Sequence, residues 1–298
     1  NLIVSLQSGS IPNLDLDPST YDNAHAYYCD AQAAAFIKKN IHYDFGIDRT
    51  QTALSKWCDA ELKCSETNFN LRNPLFLRDL SKNVTGLLTL MRKYLTKVLG
   101  GVPTDIYNLQ YGPGSTATCR GFESSLPNKL ENDFALYTHT HVAFVEMLLL
   151  RNPLWAQSFY SKHGLECDFR TKIQYLDADE LNFVPKDWKQ DRGISVGAGL
   201  NAILQSNVSD YLVTRLKRFG FDLRHLPEKH KHMARKSSVD GSLATIDLQS
   251  ASDTIAYELV RAVLPYEWFV LLDNLRAKRT RLPDGCTIAL EKFSAMGN

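Results

Sequence analysis

The chain is expected to be an α+β protein, helical in its front two-thirds, with strands arriving late. Three observations predict this. Long stretches before residue 100 repeat their apolar residues at helical spacing. Strand-like runs are short and concentrate after residue 170. No βαβ alternation or internal repeat runs along the chain. With 298 residues, 44% of them hydrophobic and 22% charged, it can bury a substantial core.

The elements follow in order. Residues 22–39 are alanine-rich, with Asp22 near the start and Lys38-Lys39 at the end, matching a helix dipole. Asn83–Leu99 places Val84, Leu87, Leu88, Met91, Leu95 and Val98 on one face before Gly100-Gly101. Residues 131–150 read as one helix, ending before Asn152-Pro153. His139 and His141 fall inside it at i, i+2, on different faces, and are assigned no site. Residues 199–219 form another helix, closed by Gly220. TKIQYL (171–176) and NFVP (182–185) read as a hairpin around Asp177-Ala178-Asp179-Glu180. SLATID (242–247) is the clearest strand, and a helix is expected from near Asp253 to Pro265.

Bulk properties exclude some classes. The longest apolar run, Val142–Leu150, is interrupted by Glu146 and is too short for a bilayer. The chain has no basic-then-apolar opening of the secretory type. Six scattered cysteines form no CxxC pair, which points to reduced thiols in a cytoplasm. Net charge is +1, so any nucleic-acid partner must be argued from local charge. The chain opens on Asn1 and closes within FSAMGN, and is expected to be part of a longer protein.

Four stretches could carry chemistry. Asp247 would end a buried strand, where an unpaired carboxylate is costly and a metal ion is the strongest neutraliser. The turn after it would offer backbone carbonyls such as that of Leu248 as further oxygen ligands. Asp253, six residues on, either joins that chemistry or caps the next helix, with Ser252 competing for the cap. In VPKDWKQDR (184–192), Lys186, Lys189 and Arg192 fall three apart and could converge on a triphosphate. On spacing alone a solvated basic loop explains them better. Residues 215–236 hold eight lysines and arginines against two acids, beginning with Arg215, Lys217 and Arg218, and suit a phosphate backbone or an exposed charged face. Among them His225, His230 and His232 lack a carboxylate or cysteine at ligand spacing. YGPGSTATCRG (111–121) is glycine-rich but lacks the Gly-Lys-Ser/Thr of a phosphate-binding loop.

Taken together, SVDGSLATIDLQSASDTI (238–255) followed by FSAMGN (293–298) resembles the RNA-directed RNA polymerase subunit of the leviviruses, the small single-stranded RNA bacteriophages of the MS2-like and Qβ-like kind. VPKDWKQDR, RLKRFGFDL, CSETNFNL and YGPGSTATCRG resemble further segments of that family. The resemblance implies a right-hand polymerase. Residues 1–237 would be the N-terminal region and fingers, and 238–298 the start of the palm. It implies that Asp247, with the Leu248 carbonyl, holds catalytic metal, two Mg²⁺ ions or Mn²⁺ in their place. Asp253, with Ser252 beside it, would sense the ribose 2′-OH. Lys186, Lys189 and Arg192 would hold the incoming ribonucleoside triphosphate, and Gly297 and Asn298 would open motif B. Arg215, Lys217 and Arg218 would contact RNA.

The implied partners are single-stranded template RNA, product RNA, and borrowed host proteins: elongation factors Tu and Ts and a ribosomal protein. The implied location is the bacterial cytoplasm. No Gly-Asp-Asp occurs in these residues, so they are expected to bind RNA without copying it. Gly193–Asn201 departs from the acidic Glu-Pro expected there. Two other readings stand beside this one. In a non-catalytic RNA-binding module the carboxylates would be structural. A reverse transcriptase shares the palm, but the small Ser250, Ala251 and Ser252 argue for ribonucleotides.

Overall fold

The computed structural model describes residues 8, 14–40, 42, 46–79, 82–105, 108–246, 248 and 250–296. These residues form two compact units, one from 1–59 and 182–194, the other from 60–181 and 195–298.

The first unit is built on helix α1 (Ala24–Lys39). Its N-cap is Asn23, whose Oδ1 accepts the Ala26 amide at 2.9 Å. Its buried face, Ala34 and Ile37, packs with Leu14 and Trp188. The Trp188 amide donates to the Lys38 carbonyl at 3.1 Å, which pins the 186–190 turn. Thr50, in the first part of helix α2 (Arg49–Arg72), donates to Asp191 at 2.8 Å.

The second unit holds the rest of α2, then α3 (Pro74–Asp79) and α4 (Lys82–Leu99). After α4, Gly100 turns left-handed at φ +65°, as the Gly-Gly stop predicted. The helices α5 (Leu126–Asn132), α6 (Val142–Arg151), α7 (Pro153–His163) and α8 (Gly199–Arg218) follow, with α9 (Leu226–Asp240), α10 (Tyr257–Val263) and α11 (Tyr266–Leu275) after them. Leu136, Val145, Leu148, Leu200, Ile203 and Trp268 anchor one buried core. Around Phe134, the rings of Phe159 and Phe169 sit edge-to-face with centroids 5.5 and 5.4 Å away.

Strands β1 (Ala135–Leu136) and β2 (Gln174–Tyr175) pair in parallel. A second sheet runs β4-β3-β5-β6, from β3 (Asp179–Pro185), β4 (Asp191–Val196), β5 (Arg279–Arg281) and β6 (Thr287–Ala289). Within it β3 and β5 are parallel, and β5 and β6 antiparallel. The α+β class therefore holds, and no helix of the described residues is long and apolar enough to cross a membrane.

Three local expectations are corrected. Residues 131–150 are not one helix, because α5 ends at Asn132 and the fully buried Ala135 and Leu136 form β1 instead. Side chains enclosed on both faces suit a core strand better than one face of a helix. The hairpin over 171–185 does not form. Gln174–Tyr175 pairs with β1, and Asp179 and Glu180 pair with Thr280 and Arg281, about a hundred residues away. Asp179 and Glu180 of the supposed acidic turn are thus strand, with Asp179 buried and accepting from Ser195. Residues 242–246 are not a strand: Leu243 and Ile246 are exposed and the stretch has no ladder partner among the described residues. The 215–236 basic run, to which the sequence assigned no element beyond residue 219, is helical again from Leu226, where α9 has Pro227 in its first turn, and α9 is closed by Gly241 at φ +65°.

Helix α8 starts against a buried acid. The Asp133 carboxylate is fully buried, and its Oδ1 accepts from Thr118 at 2.5 Å. A Cβ on Gly199 would lie 1.8 Å from Asp133 Oδ2. Gly199→Ala is expected to cost about 3 kcal/mol through overpacking. A lowered thermal unfolding midpoint with unchanged far-ultraviolet dichroism in the cold checks this.

Candidate functional site

The site lies in the second unit, where the turn carrying Asp253 meets α2 and the 291–293 segment. The turn is tight. Ser250 adopts φ +54°, a left-handed conformation that costs a non-glycine residue about 1 kcal/mol. The Thr254 amide then closes on the Ser250 carbonyl at 3.1 Å. Ser252 is exposed and Asp253 half-buried. Helix α10 begins only at Tyr257, with Ala256 as its N-cap, so neither Ser252 nor Asp253 has the capping role that the sequence left open.

Asp253 is held by a lysine. Lys292 is fully buried, and its Nζ lies 3.1 Å from Asp253 Oδ1 and 3.4 Å from Glu61 Oε1. The backbone fastens the same pieces together. Ala256 and Lys292 form an antiparallel bridge, and the Phe293 amide donates to the Ile255 carbonyl at 2.8 Å. The Tyr257 amide donates to the Glu291 carbonyl at 3.0 Å.

Helix α2 supplies the back wall. Glu61 Oε2 accepts the Glu291 amide at 2.7 Å. Asn68 Nδ2 donates to the Glu291 carbonyl at 2.7 Å, and Asn68 Oδ1 accepts the Glu258 amide at 2.8 Å. Glu258 is clasped by Arg72 at 2.8 Å and Arg261 at 2.5 Å. The buried Cys64 donates to the Asp253 carbonyl at 3.5 Å. Burial, reinforced by the Glu61 charge, pushes its thiol up to about 11. CSETNFNL thus contributes Cys64 and Asn68 as buried partners of the Asp253 turn.

The other expected site residues are distributed as follows. Asp247, Gly297 and Asn298 lie outside the described residues, and Leu248 is exposed. Lys186, Lys189 and Arg192 lie in the first unit. Lys186 is half-buried, and Lys189 and Arg192 are exposed. Asp187 Oδ1 accepts the Lys189 and Gln190 amides at 2.9 and 3.0 Å, shaping the turn, and Lys189 Nζ sits 4.9 Å from the centre of the Trp188 ring.

Arg215 is turned into the fold, donating to the Val98 and Lys97 carbonyls at 2.9 and 3.3 Å. Lys217 pairs with Asp222 at 2.9 Å, and Arg218 is exposed. The exposed Lys229, Lys231, Arg235 and Lys236 on α9 extend the positive surface.

YGPGSTATCRG is a structural loop. The buried Lys129 donates to the carbonyls of Gly112, at 2.7 Å, and Gly114. Among the described residues no group of three His, Cys, Asp or Glu side chains could hold a metal ion. Sequence reasoning missed Lys292 and Glu61. The available signal was a lone lysine, Lys292, beside Phe293 at the edge of an apolar run.

The family model for the RNA replicase beta-chain matches residues 2–298, and the chain belongs to that family. It is 29% identical over 272 residues to the RNA-directed RNA polymerase subunit beta of Escherichia virus Qbeta, an alignment covering 89% of this chain and 43% of that protein. It is 42% identical over 252 residues to the RNA-directed RNA polymerase beta chain of Enterobacteria phage fr, covering 84% of this chain and 44% of the relative. With the corresponding chain of Escherichia phage MS2 the identity is 44% over 137 residues, 46% of this chain and 25% of that one. The chain spans less than half the length of these curated relatives.

Two outcomes are expected at this site. Lys292→Met leaves two acids facing an uncharged side chain, and should cost about 3–5 kcal/mol, read from denaturant unfolding. Alkylation by iodoacetamide at pH 8 should modify the exposed Cys29, Cys58 and Cys286 and leave the buried Cys64 untouched, as peptide mass spectrometry would show.

Proposed function

We propose that this chain is the part of a levivirus replicase that builds the fingers and the beginning of the palm, residues 1–237 and 238–298. In the complete subunit it takes part in RNA-templated RNA synthesis. The observation carrying this reading is the fastening of the Asp253 turn to the segment leading into FSAMGN. The Lys292–Asp253 ion pair and the Ala256–Lys292 bridge join the two stretches on which the family resemblance rests. A polymerase needs its ribose-reading carboxylate and its base-positioning segment in fixed register, because catalysis here is mostly positioning.

The roles follow from the chemistry of each group. Asp253 accepts a hydrogen bond from the ribose 2′-OH, with the small Ser252 leaving room for the sugar. Its Oδ1 is already engaged by Lys292, which suits a reader of hydroxyls better than a metal ligand. Asp247 and the Leu248 carbonyl are the donors for Mg²⁺. Carboxylate with carbonyl is the oxygen set that Mg²⁺ takes. Two such ions, when bound, would neutralise charge on the attacking and leaving oxygens of the phosphoryl transfer. Lys186, Lys189 and Arg192 supply positive charge for a triphosphate, a role to which the exposure of Lys189 and Arg192 lends support. Gly297 and Asn298 continue the base-positioning segment. Template and product RNA are the partners, with Arg218 and the α9 lysines offering phosphate contacts.

Asp247→Asn in the complete subunit is expected to lower template-dependent incorporation at least about a hundred-fold while retaining RNA affinity. Retained synthesis would refute the metal role, and a parallel loss of RNA binding would point to a structural carboxylate. Residues 1–298 alone are expected to shift a labelled RNA in a gel without extending it.

A further inference from the structure

We propose that Lys292, braced from behind by Glu61, is the positioning residue that sets the Asp253 carboxylate and thereby the preference for ribonucleotides. This rests on the reading of Asp253 as the group that senses the 2′-OH.

Exposure orders the three side chains: Lys292 0%, Glu61 9% and Asp253 22%. Lys292 has no surface with which to touch a nucleotide, and Glu61 has little. Any influence they have on substrate passes through Asp253, the only member of the trio open to solvent to that degree. A buried ammonium needs compensation by charge and geometry, and here it lies between two carboxylates, 3.1 Å from one and 3.4 Å from the other.

The two acids are held differently. Glu61 stands on a long helix, and its second oxygen accepts the Glu291 amide at 2.7 Å. It therefore fixes the backbone next to Lys292 and sets a carboxylate charge 3.4 Å from the ammonium. Asp253 stands on a tight turn whose carbonyl is tied to Cys64. Anchoring its Oδ1 to a fixed ammonium removes side-chain freedom and leaves the second oxygen to accept a hydroxyl hydrogen. A deoxyribonucleotide brings no such donor, and a site built around a substrate hydroxyl discriminates strongly against the analogue lacking it. That discrimination requires the acceptor to be in place beforehand, which is what outer partners of a binding group supply.

The test is single-nucleotide incorporation by the complete replicase subunit, with ATP and dATP compared on one template. Glu61→Gln keeps shape and the acceptor for the Glu291 amide while removing the charge behind Lys292. We expect KM for ATP to rise with kcat nearly kept, dATP kinetics to change little, and the ATP/dATP ratio of kcat/KM to fall at least about tenfold. Lys292→Met should lower the ratio further, and if it does not fold, Glu61→Gln decides. Asp253→Asn separates the two layers. A ratio unchanged in Asp253→Asn overturns the ribose reading, and the proposal with it. A ratio that collapses in Asp253→Asn but holds in Glu61→Gln overturns the positioning role alone. Equal losses for ATP and dATP in Glu61→Gln would mark the brace as merely structural, and also overturn the proposal.

Discussion

The ammonium of Lys292 has no exposed surface, and the arrangement of the second unit around the Asp253 turn depends on it. A lysine at that depth is tolerated only where opposite charge or hydrogen-bond acceptors meet it at close range. Glu61 from α2 and Asp253 from the turn do so, and in meeting it they bring together three parts of the chain remote in sequence. The amide and carbonyl bonds through Glu291, Asn68 and Tyr257 complete the joint. The joint is rigid because each partner is fixed a second time elsewhere.

A second buried lysine plays the same part away from the site. Lys129 is buried against the carbonyls of Gly112 and Gly114, which holds the glycine-rich loop in place. Close by, the buried Asp133 lies against the start of α8, and burial raises its carboxyl above the ordinary range. The partial positive charge of a helix start favours an acid there, and Gly199 leaves the space that the carboxylate fills. A loop whose composition suggests ligand binding is instead built around the protein's own charges.

Positive charge is divided between architecture and surface. Arg215 caps the end of α4, whose carbonyls need donors. Lys217 is engaged by Asp222, while Arg218 and the exposed lysines and arginines of α9 face solvent. A run of like charges in sequence is thus not one patch. Which members face solvent was decided by the carbonyls and carboxylates within reach of each.

What was legible in the sequence was whatever depends on neighbours along the chain. The helices over 24–39, 82–99 and 199–218 were readable because amphipathic spacing, a capping residue and a glycine stop act over one or two turns. Membership of the replicase family was legible too, since short runs such as LATIDLQSASD carry it without reference to shape. Strand pairing was not. Residues 174–175 and 179–185 found partners near 135 and 280, and 242–246, with the right composition, found none among the described residues. The surroundings of Lys292 were not legible either, because a lone lysine beside an apolar run carries no sign of whether carboxylates from positions 61 and 253 will surround it. Backbone ladders and buried ion pairs are contacts between distant residues, so tertiary structure alone decided them.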